Sequence, residues 1–77
     1  MLFNEEDPVR VIHPVSGNEL FSDGTLSVPA GALGTVVLAS PAVPDAYGVE
    51  FVIPLSGGRA RCATISISAD NLRPCGD

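Results

Sequence analysis

The sequence predicts a small all-β domain, most economically a partly open barrel of five short strands. Eight glycines and seven prolines among 77 residues favour short strands joined by turns over long helices. No apolar repeat at helical spacing persists along the chain, whereas alternating segments of about five residues are separated by turn signals about every 8 to 12 residues. A chain this short cannot complete a two-sheet sandwich, and rolling a small sheet shields most strand edges.

The first residues are expected to form a flexible, solvated lead-in over 1–8, ahead of a single domain that covers 9–77. The acidic run Glu5-Glu6-Asp7 is typical of an exposed terminus, and it could also serve as an acidic tip for a basic partner. The start of the chain has neither the basic region nor the apolar core of a secretory segment. The sequence therefore predicts a cytoplasmic protein.

A first strand and a hairpin extension come next. Val9–His13 alternates as a strand, and Pro14–Val28 follows as a long connection. Within it, Glu19–Ser22 and Thr25–Val28 flank Asp23-Gly24, which is a favoured pair for a two-residue type I′ turn. The sequence therefore predicts a small hairpin here. The residues expected to face the core are Val9, Val11, Leu20, Phe21, Leu26 and Val28.

Two strands and a stiff loop are predicted in the middle of the chain. Thr35–Ala39 is rich in β-branched residues and follows a boundary glycine, which favours a second strand. Ser40–Asp45 contains two prolines, so strand pairing is expected to stop there and a hairpin loop to form. Ala46–Ile53 has the most regular alternation of the chain. Its predicted core face consists of Tyr47, Val49, Phe51 and Ile53.

The C-terminal third is predicted to contain a glycine turn, a long strand, a helical turn and a brief last strand. Ser56–Gly58 should turn the chain, and Arg61–Ser68 alternates as the fourth strand. Ser68–Asn71 predicts a short 3-10 turn that is capped by Ser68 or Asp70. The residues expected to face the core are Ala63, Ile65, Ile67 and Leu72.

The charge balance disfavours nucleic acid and anionic membranes as partners. Nine acidic residues oppose four arginines, and the chain has no lysine, which gives a net charge of −5. A surface that neutralises several phosphates needs a basic patch, which so few arginines scarcely provide. Acidity favours solubility and can steer a basic partner. The longest apolar run is also far too short to span a bilayer.

The residue types needed for catalysis or metal binding are sparse, so the sequence predicts no enzyme, no cofactor and no metal site. His13 is the only histidine and is interpreted as a surface residue. Cys62 and Cys75 are expected to be free thiols in a reducing compartment, although a bridge between them stays open. The cysteines and the histidine lack the spacing of a zinc site, and neither a calcium loop nor a phosphate-binding glycine motif occurs.

Arg59 and Arg61 are two residues apart, so on a strand they would project from the same face. Together they could clamp a carboxylate or a phosphate. The alternative is a solvated strand end, in which they pair with a residue such as Glu50 across the hairpin. The sequence leaves both interpretations open.

Three segments together resemble a known protein family. They are Pro29–Val37, Tyr47–Phe51 and Ser68–Pro74, within a similarity that extends over about residues 9–75. The family consists of small stand-alone bacterial proteins grouped as a domain of unknown function. It is similar to SH3-like barrels, which include the β-subunit barrel of nitrile hydratase and KOW-type modules. The resemblance implies a five-stranded, partly open SH3-like barrel, with the short 3-10 turn before the last strand. This sequence departs from the family in the segment Pro14–Val28, which is longer than in most members and is filled by the predicted hairpin extension after strand 1.

The hairpin extension corresponds in position to the RT loop, where SH3 domains bind proline-rich ligands. Those domains line their groove with several aromatic side chains. This chain has one tyrosine and three phenylalanines, and Tyr47 and Phe51 are assigned to the core. A groove for polyproline ligands is therefore disfavoured.

The resulting hypothesis is a non-enzymatic protein-binding module, for example an inhibitor or accessory partner of a cognate bacterial protein. Two alternatives stay open: an accessory subunit or maturation factor of an enzyme, and an RNA- or ribosome-associated KOW-like module, which the acidity disfavours. An exposed strand edge could also pair two copies into a homodimer. The candidate partner-binding residues are Leu20, Phe21, Asp23, Val43, Arg59 and Arg61.

Overall fold

The computed structural model describes residues 3–18, 24–40 and 42–75, and this part of the chain is built from strands and turns. Seven strands and two short 3-10 turns occur among these residues, which confirms the predicted all-β class. The strands are β1 (Pro8–Val11), β2 (Val15–Asn18), β3 (Thr25–Val28), β4 (Leu33–Leu38), β5 (Ala46–Pro54), β6 (Ala60–Ser68) and β7 (Leu72–Pro74). The 3-10 turns are Ser56–Gly58 and Ala69–Asn71.

Five of the strands form one antiparallel sheet in the order β6-β5-β4-β1-β7, and β2 pairs with β3 as a separate hairpin. β4, β5 and β6 follow one another as a meander, after which a 3-10 turn leads into β7 beside β1. The β2–β3 hairpin is inserted between β1 and β4, which are neighbours in the sheet. β6 and β7 are the two edges and do not pair with each other in the described residues, so the sheet is not a closed barrel.

The inner face of the sheet and the β2–β3 hairpin enclose a hydrophobic core. Alternate residues of β5 and β6 point into it, as their sequence pattern predicts, and Ile53 is half-buried at its margin. The hairpin approaches β6 closely at Gly17, where an added Cβ would lie 2.7 Å from Ile65 Cγ1. The buried core residues are Phe3, Val9, Val11, Leu26, Val28, Val36, Tyr47, Val49, Phe51, Ala63, Ile65, Ile67 and Leu72.

The hairpin extension is present, but its pairing differs from the prediction. Thr25 pairs with Asn18, so residues 19–24 connect the two strands. A two-residue turn at Asp23-Gly24 would instead pair the residues that flank it directly. The predicted turn lies partly outside the described residues, but the observed pairing differs from the one that it requires, and the first strand of the hairpin begins earlier in the sequence than expected.

The observed pairing is the one that places apolar side chains of the hairpin over the sheet. It sets Val15 opposite Val28, and Val28 is fully buried. Because side chains alternate between faces, a register that buries one face overrides a local turn signal. The predicted strand Glu19–Ser22 lies outside the described residues, and so do Leu20 and Phe21, which were expected in the core.

Phe3 corrects the expectation of a solvated lead-in. Its side chain is only 5% exposed and packs edge-on against Tyr47, with the ring centroids 5.3 Å apart. The backbone N–H of Phe3 also donates to the Tyr47 hydroxyl oxygen (3.3 Å). Further along, Glu6 N donates to Val36 O, and Val36 N donates to Asp7 O. The residues before β1 are therefore attached to β4 and β5.

Two details near the C-terminal 3-10 turn also differ from the prediction. The turn forms as expected, but the Ser68 hydroxyl donates to the Asp70 carboxylate (2.6 Å), and no side chain caps a backbone N–H. The first strand ends at Val11 rather than at His13, because the backbone N–H of His13 donates to the Asn71 side chain (2.7 Å). Asn71 thus ties the residues after β1 to the start of β7.

Gly34 allows the closest packing between β4 and β5. A Cβ at this position would lie 2.6 Å from Val49 Cγ1 and 2.8 Å from Phe51 Cε1. Both neighbours are fully buried, so neither can move away without disturbing the rest of a close-packed core. Packing therefore requires a residue without a side chain here.

We expect Gly34→Ala to lower the free energy of unfolding by about 1–3 kcal/mol, which is the usual cost of overpacking a core. Urea denaturation followed by circular dichroism measures this change, with Thr35→Ala on the exposed side of β4 as the control. Val49→Ala removes the methyl group nearest the new Cβ, so the double variant should be less destabilised than the sum of the single variants. Unchanged stability of Gly34→Ala would contradict the close approach.

Candidate functional site

The structure describes three of the six candidate partner-binding residues and places them at opposite ends of the β5–β6 ladder. Val43 lies in the loop that leads into β5, whereas Arg59 and Arg61 lie where β6 begins. The other three candidates are outside the described residues: Leu20, Phe21 and Asp23. The fold therefore separates Val43 from the two arginines, and only Val43 borders a groove on the outer face of the sheet.

This outer groove has a volume of about 320 Å³ and lies between the end of β4, the β4–β5 loop and the outer faces of β5 and β6. Its two most exposed apolar residues are Leu38 (59%) and Val43 (55%). Small and hydroxyl-bearing residues form much of the remaining surface. The lining residues are Leu38, Ser40, Val43, Ala46, Tyr47, Gly48, Thr64 and Ser66.

A bulge and a glycine create the groove. The β4–β5 register shifts between Val36 and Leu38, so Val37 and Leu38 are both exposed at the end of β4. Leu38 then stands opposite Gly48, where an added Cβ would lie only 3.0 Å from Leu38 Cβ. Because Gly48 has no side chain, the surface between the end of β4 and β6 stays concave.

The β4–β5 loop holds Val43 at the mouth of the groove. Val43 N donates to Ser40 O (3.0 Å), and Ala42 N donates to Ser40 Oγ (3.2 Å). Serine side chains commonly close turns through such local hydrogen bonds. The loop ends where Ala46 N approaches Val43 O (3.5 Å), directly before β5. Val43 is therefore held in a turned loop rather than in a strand.

Three carboxylates belong to residues next to those that line the outer groove. Glu5 Oε2 accepts a hydrogen bond from Ala39 N (3.4 Å), beside Leu38. Asp45 is exposed in the loop that carries Val43, and Glu50 stands opposite Thr64 on the outer face. No arginine lines the groove among the described residues. The groove therefore has a mostly apolar lining, and the carboxylates of Glu5, Asp45 and Glu50 next to its lining residues are called its negative rim.

Sequence reasoning identified Val43 in this site but missed most of its other residues. Val37 and Val52 are further exposed apolar residues of the sheet, and neither lines the groove. Strand alternation does place Gly48 and Thr64 on the outer face. Their association with Leu38 depends on the bulge, however, and no turn or proline signal in β4 indicates one.

The two arginines lie where β6 begins, and Arg59 is extended and continues the β5–β6 ladder. Arg59 precedes β6, whereas Arg61 lies within it on the same side as Ala63. Arg61 Nη2 donates to the backbone oxygen of Thr25 (3.1 Å), which links β6 to the β2–β3 hairpin. Glu50, the expected partner across the hairpin, stands opposite Thr64 on the other face. Arg61 therefore contributes to the attachment of the hairpin.

The groups considered for chemistry are dispersed over the described residues. Cys62 lies on the outer face opposite Val52, and Cys75 follows β7; both are free thiols. In the described part of the chain, no three His, Cys, Asp or Glu side chains are grouped so that they could hold a metal ion. Within the same residues, no helix has the length and apolar character needed to cross a bilayer.

We expect Arg61→Met to lower the free energy of unfolding by about 0.5–1.5 kcal/mol, because it removes a hydrogen bond between β6 and the hairpin. Arg59→Met is the matched control, and it should change stability by less than about 0.5 kcal/mol because Arg59 is exposed outside the strand. Urea denaturation provides both values. Equal effects of the two substitutions would show that Arg61 has no special part in holding the hairpin.

Comparison with known proteins does not assign a function to the outer groove. The chain matches no protein-family model, no curated protein and no solved structure. A functional proposal therefore rests on the outer groove, its rim of carboxylates and the sheet that holds them.

Proposed function

We propose that this chain is a non-enzymatic protein-binding module that holds an extended segment of another protein in the outer groove. The observation that carries the proposal is the apolar groove at Leu38 and Val43. Single exposed apolar residues are ordinary, but apolar residues gathered in a concave surface are typical of a binding site. The hydrophobic core lies on the other face of the sheet, so the groove is not needed for folding.

An SH3-like fold is part of the proposal. The sheet order β6-β5-β4-β1-β7 supports it, as do the hairpin inserted after β1 and the 3-10 turn before β7. The described aromatic residues, Phe3, Tyr47 and Phe51, are all buried. A partner is therefore proposed to bind through aliphatic contacts at the outer groove and not through an aromatic surface for polyproline.

The charges define the chemistry of the partner. The negative rim of the groove consists of Glu5, Asp45 and Glu50, which neighbour its lining residues, whereas the Arg10 guanidinium donates a hydrogen bond to Gly31 O (2.8 Å). The complementary segment carries one or two aliphatic side chains with lysine or arginine beside them. Since Glu5 and Asp45 are exposed and Glu50 is only half-buried, binding should weaken as salt screens these carboxylates.

A cognate protein that supplies such a segment would be inhibited or supported by this module. The cellular setting proposed for this pair is the cytoplasm. The free thiols of Cys62 and Cys75 support this setting, because unpaired cysteines persist in reducing compartments.

Val43→Lys should weaken binding of basic, apolar peptides by at least about tenfold, because it places a cation at the mouth of the groove. A library of displayed random peptides is selected against the native chain, and the enriched peptides are then titrated against the variants. Val52→Lys is the matched control, since Val52 is similarly exposed (52% against 55%) and lies outside the groove lining. Val52→Lys should leave the affinity for the enriched peptides unchanged.

Two results would contradict the proposal. One is the absence of any enriched peptide that binds the native chain in solution. The other is an equal loss of affinity in the two lysine variants, which would attribute binding to net charge and not to the groove. Enriched peptides without basic residues would contradict only the proposed basic character of the partner and not the groove as the binding site.

A further inference from the structure

The two edges of the main sheet differ sharply in how they are protected. β7 has only three residues, and two of them are Arg73 and Pro74. β6 has nine residues, Ala60–Ser68, and contains neither lysine nor proline. Its pairing with β5 is regular from end to end, without a bulge. Short length, charge, proline and bulges are the features that normally keep an edge strand from pairing, and of these β6 has only the charge of Arg61 near one end.

The hydrogen bonds at the ends of the β5–β6 ladder show which backbone groups of β6 face outward. Leu55 N donates to Arg59 O (2.8 Å), and Ala69 N donates to Asp45 O (2.7 Å). Both pairs continue the β5–β6 register, one beyond each end. Hydrogen-bonded and non-hydrogen-bonded pairs alternate along an antiparallel ladder. Odd-numbered residues of β6 therefore bond to β5, and even-numbered residues direct N–H and C=O away from it.

The outward backbone groups belong to Ala60, Cys62, Thr64, Ser66 and Ser68. Among the described residues β6 pairs with no strand other than β5, so these outward backbone groups have no strand partner. They form one row along the full length of the edge, because the strand is regular. Such a row is a template for another antiparallel strand.

We propose that β6 pairs antiparallel with β6 of a second copy of this chain, which gives a twofold dimer. With Thr64 opposite its own counterpart, Cys62 stands opposite Ser66 and Ala63 stands opposite Ile65. All these side chains are uncharged, and Arg61 stands opposite Ile67, so no like charges face each other across the pair. In this arrangement every outward group of one edge meets an outward group of the other.

A second copy suits this edge better than an unstructured peptide does. Both edges are already folded into sheets, so pairing them orders little additional backbone, whereas an unstructured strand must be ordered on binding. The charge distribution also favours contact between two copies through β6. Each copy has a net charge of −5, yet Ala60–Ser68 contains no acidic residue. Two copies can therefore approach along β6 without bringing carboxylates together.

Amide hydrogen exchange tests the arrangement residue by residue. At low protein concentration, the amides of Thr64 and Ser66 should exchange quickly, and those of Ala63 and Ile65 slowly. At high concentration, the Thr64 and Ser66 amides should become protected at least about tenfold more, since dimerisation covers them. Protection that is independent of concentration, or that appears only outside β6, would overturn the proposal.

Sedimentation equilibrium in reducing buffer tests the dimer itself. The native chain should be a monomer–dimer mixture, and Thr64→Pro should be monomeric, because proline removes an outward N–H without removing a bond to β5. Thr64→Val retains this N–H and should still dimerise. A native chain that stays monomeric up to its solubility limit would refute the dimer.

If Thr64→Pro does not fold, a second pair of variants tests whether two copies pair through β6. Cys62→Lys places a cation on the edge strand, whereas Val52→Lys places the same charge on the neighbouring strand directly opposite. Only Cys62→Lys should weaken self-association, by at least about tenfold. Equal effects of the two would overturn pairing through β6. Val43→Lys should leave the dimer intact, so failure of the groove proposal and failure of this one are distinguishable.

Discussion

Burial of one face of β5 is the constraint on which the rest of this domain depends. Tyr47, Val49 and Phe51 are almost completely buried between the sheet and the β2–β3 hairpin. Two glycines make this close packing possible. Gly34 leaves room for the side chains of Val49 and Phe51, and Gly17 leaves room for that of Ile65. In a chain of 77 residues, which buries only about 60–65% of its unfolded surface, little else is available to stabilise the fold.

The same alternation that builds the core determines what faces outward. Every second residue of β5 must leave the core, so Gly48, Glu50 and Val52 lie on the outer face. Gly48 leaves room opposite Leu38, and Glu50 places a carboxylate beside that space. The outer groove is thus a direct consequence of how β5 packs on its other side. A substitution that disturbed the core face of β5 would also move the groove.

Strong local patterns were predictable from the sequence, and contacts between distant segments were not. The regular alternation of β5 and β6 gave their core faces correctly, including Tyr47 and Ile65. The register of the hairpin was missed because the Asp23-Gly24 turn signal is local, whereas burial of Val28 depends on the whole sheet. Phe3 was missed because its partner, Tyr47, is distant in sequence.

The residues of the candidate site divide in the same way, into those that a local sequence pattern predicts and those that depend on distant contacts. Val43 was identifiable because a loop with two prolines must lie on the surface, where exposed apolar residues are available to partners. Leu38 joined it only through a bulge whose position depends on pairing with β5. The contact of Arg61 was missed for a related reason: its side chain donates to Thr25 O in a separate hairpin, which strand spacing alone does not indicate.

The distribution of acidic residues distinguishes the two proposed binding surfaces, the outer groove and the edge of β6. At physiological salt, electrostatic repulsion extends over only about 8 Å, so it matters where carboxylates meet and much less elsewhere. The groove rim carries Glu5, Asp45 and Glu50, and two such rims would repel each other. Ala60–Ser68 has no carboxylate, and its outward backbone groups have no strand partner among the described residues. The net charge therefore does not argue against the proposed self-association: repulsion between carboxylates would confine that contact to β6 and would leave the groove to the proposed basic partner.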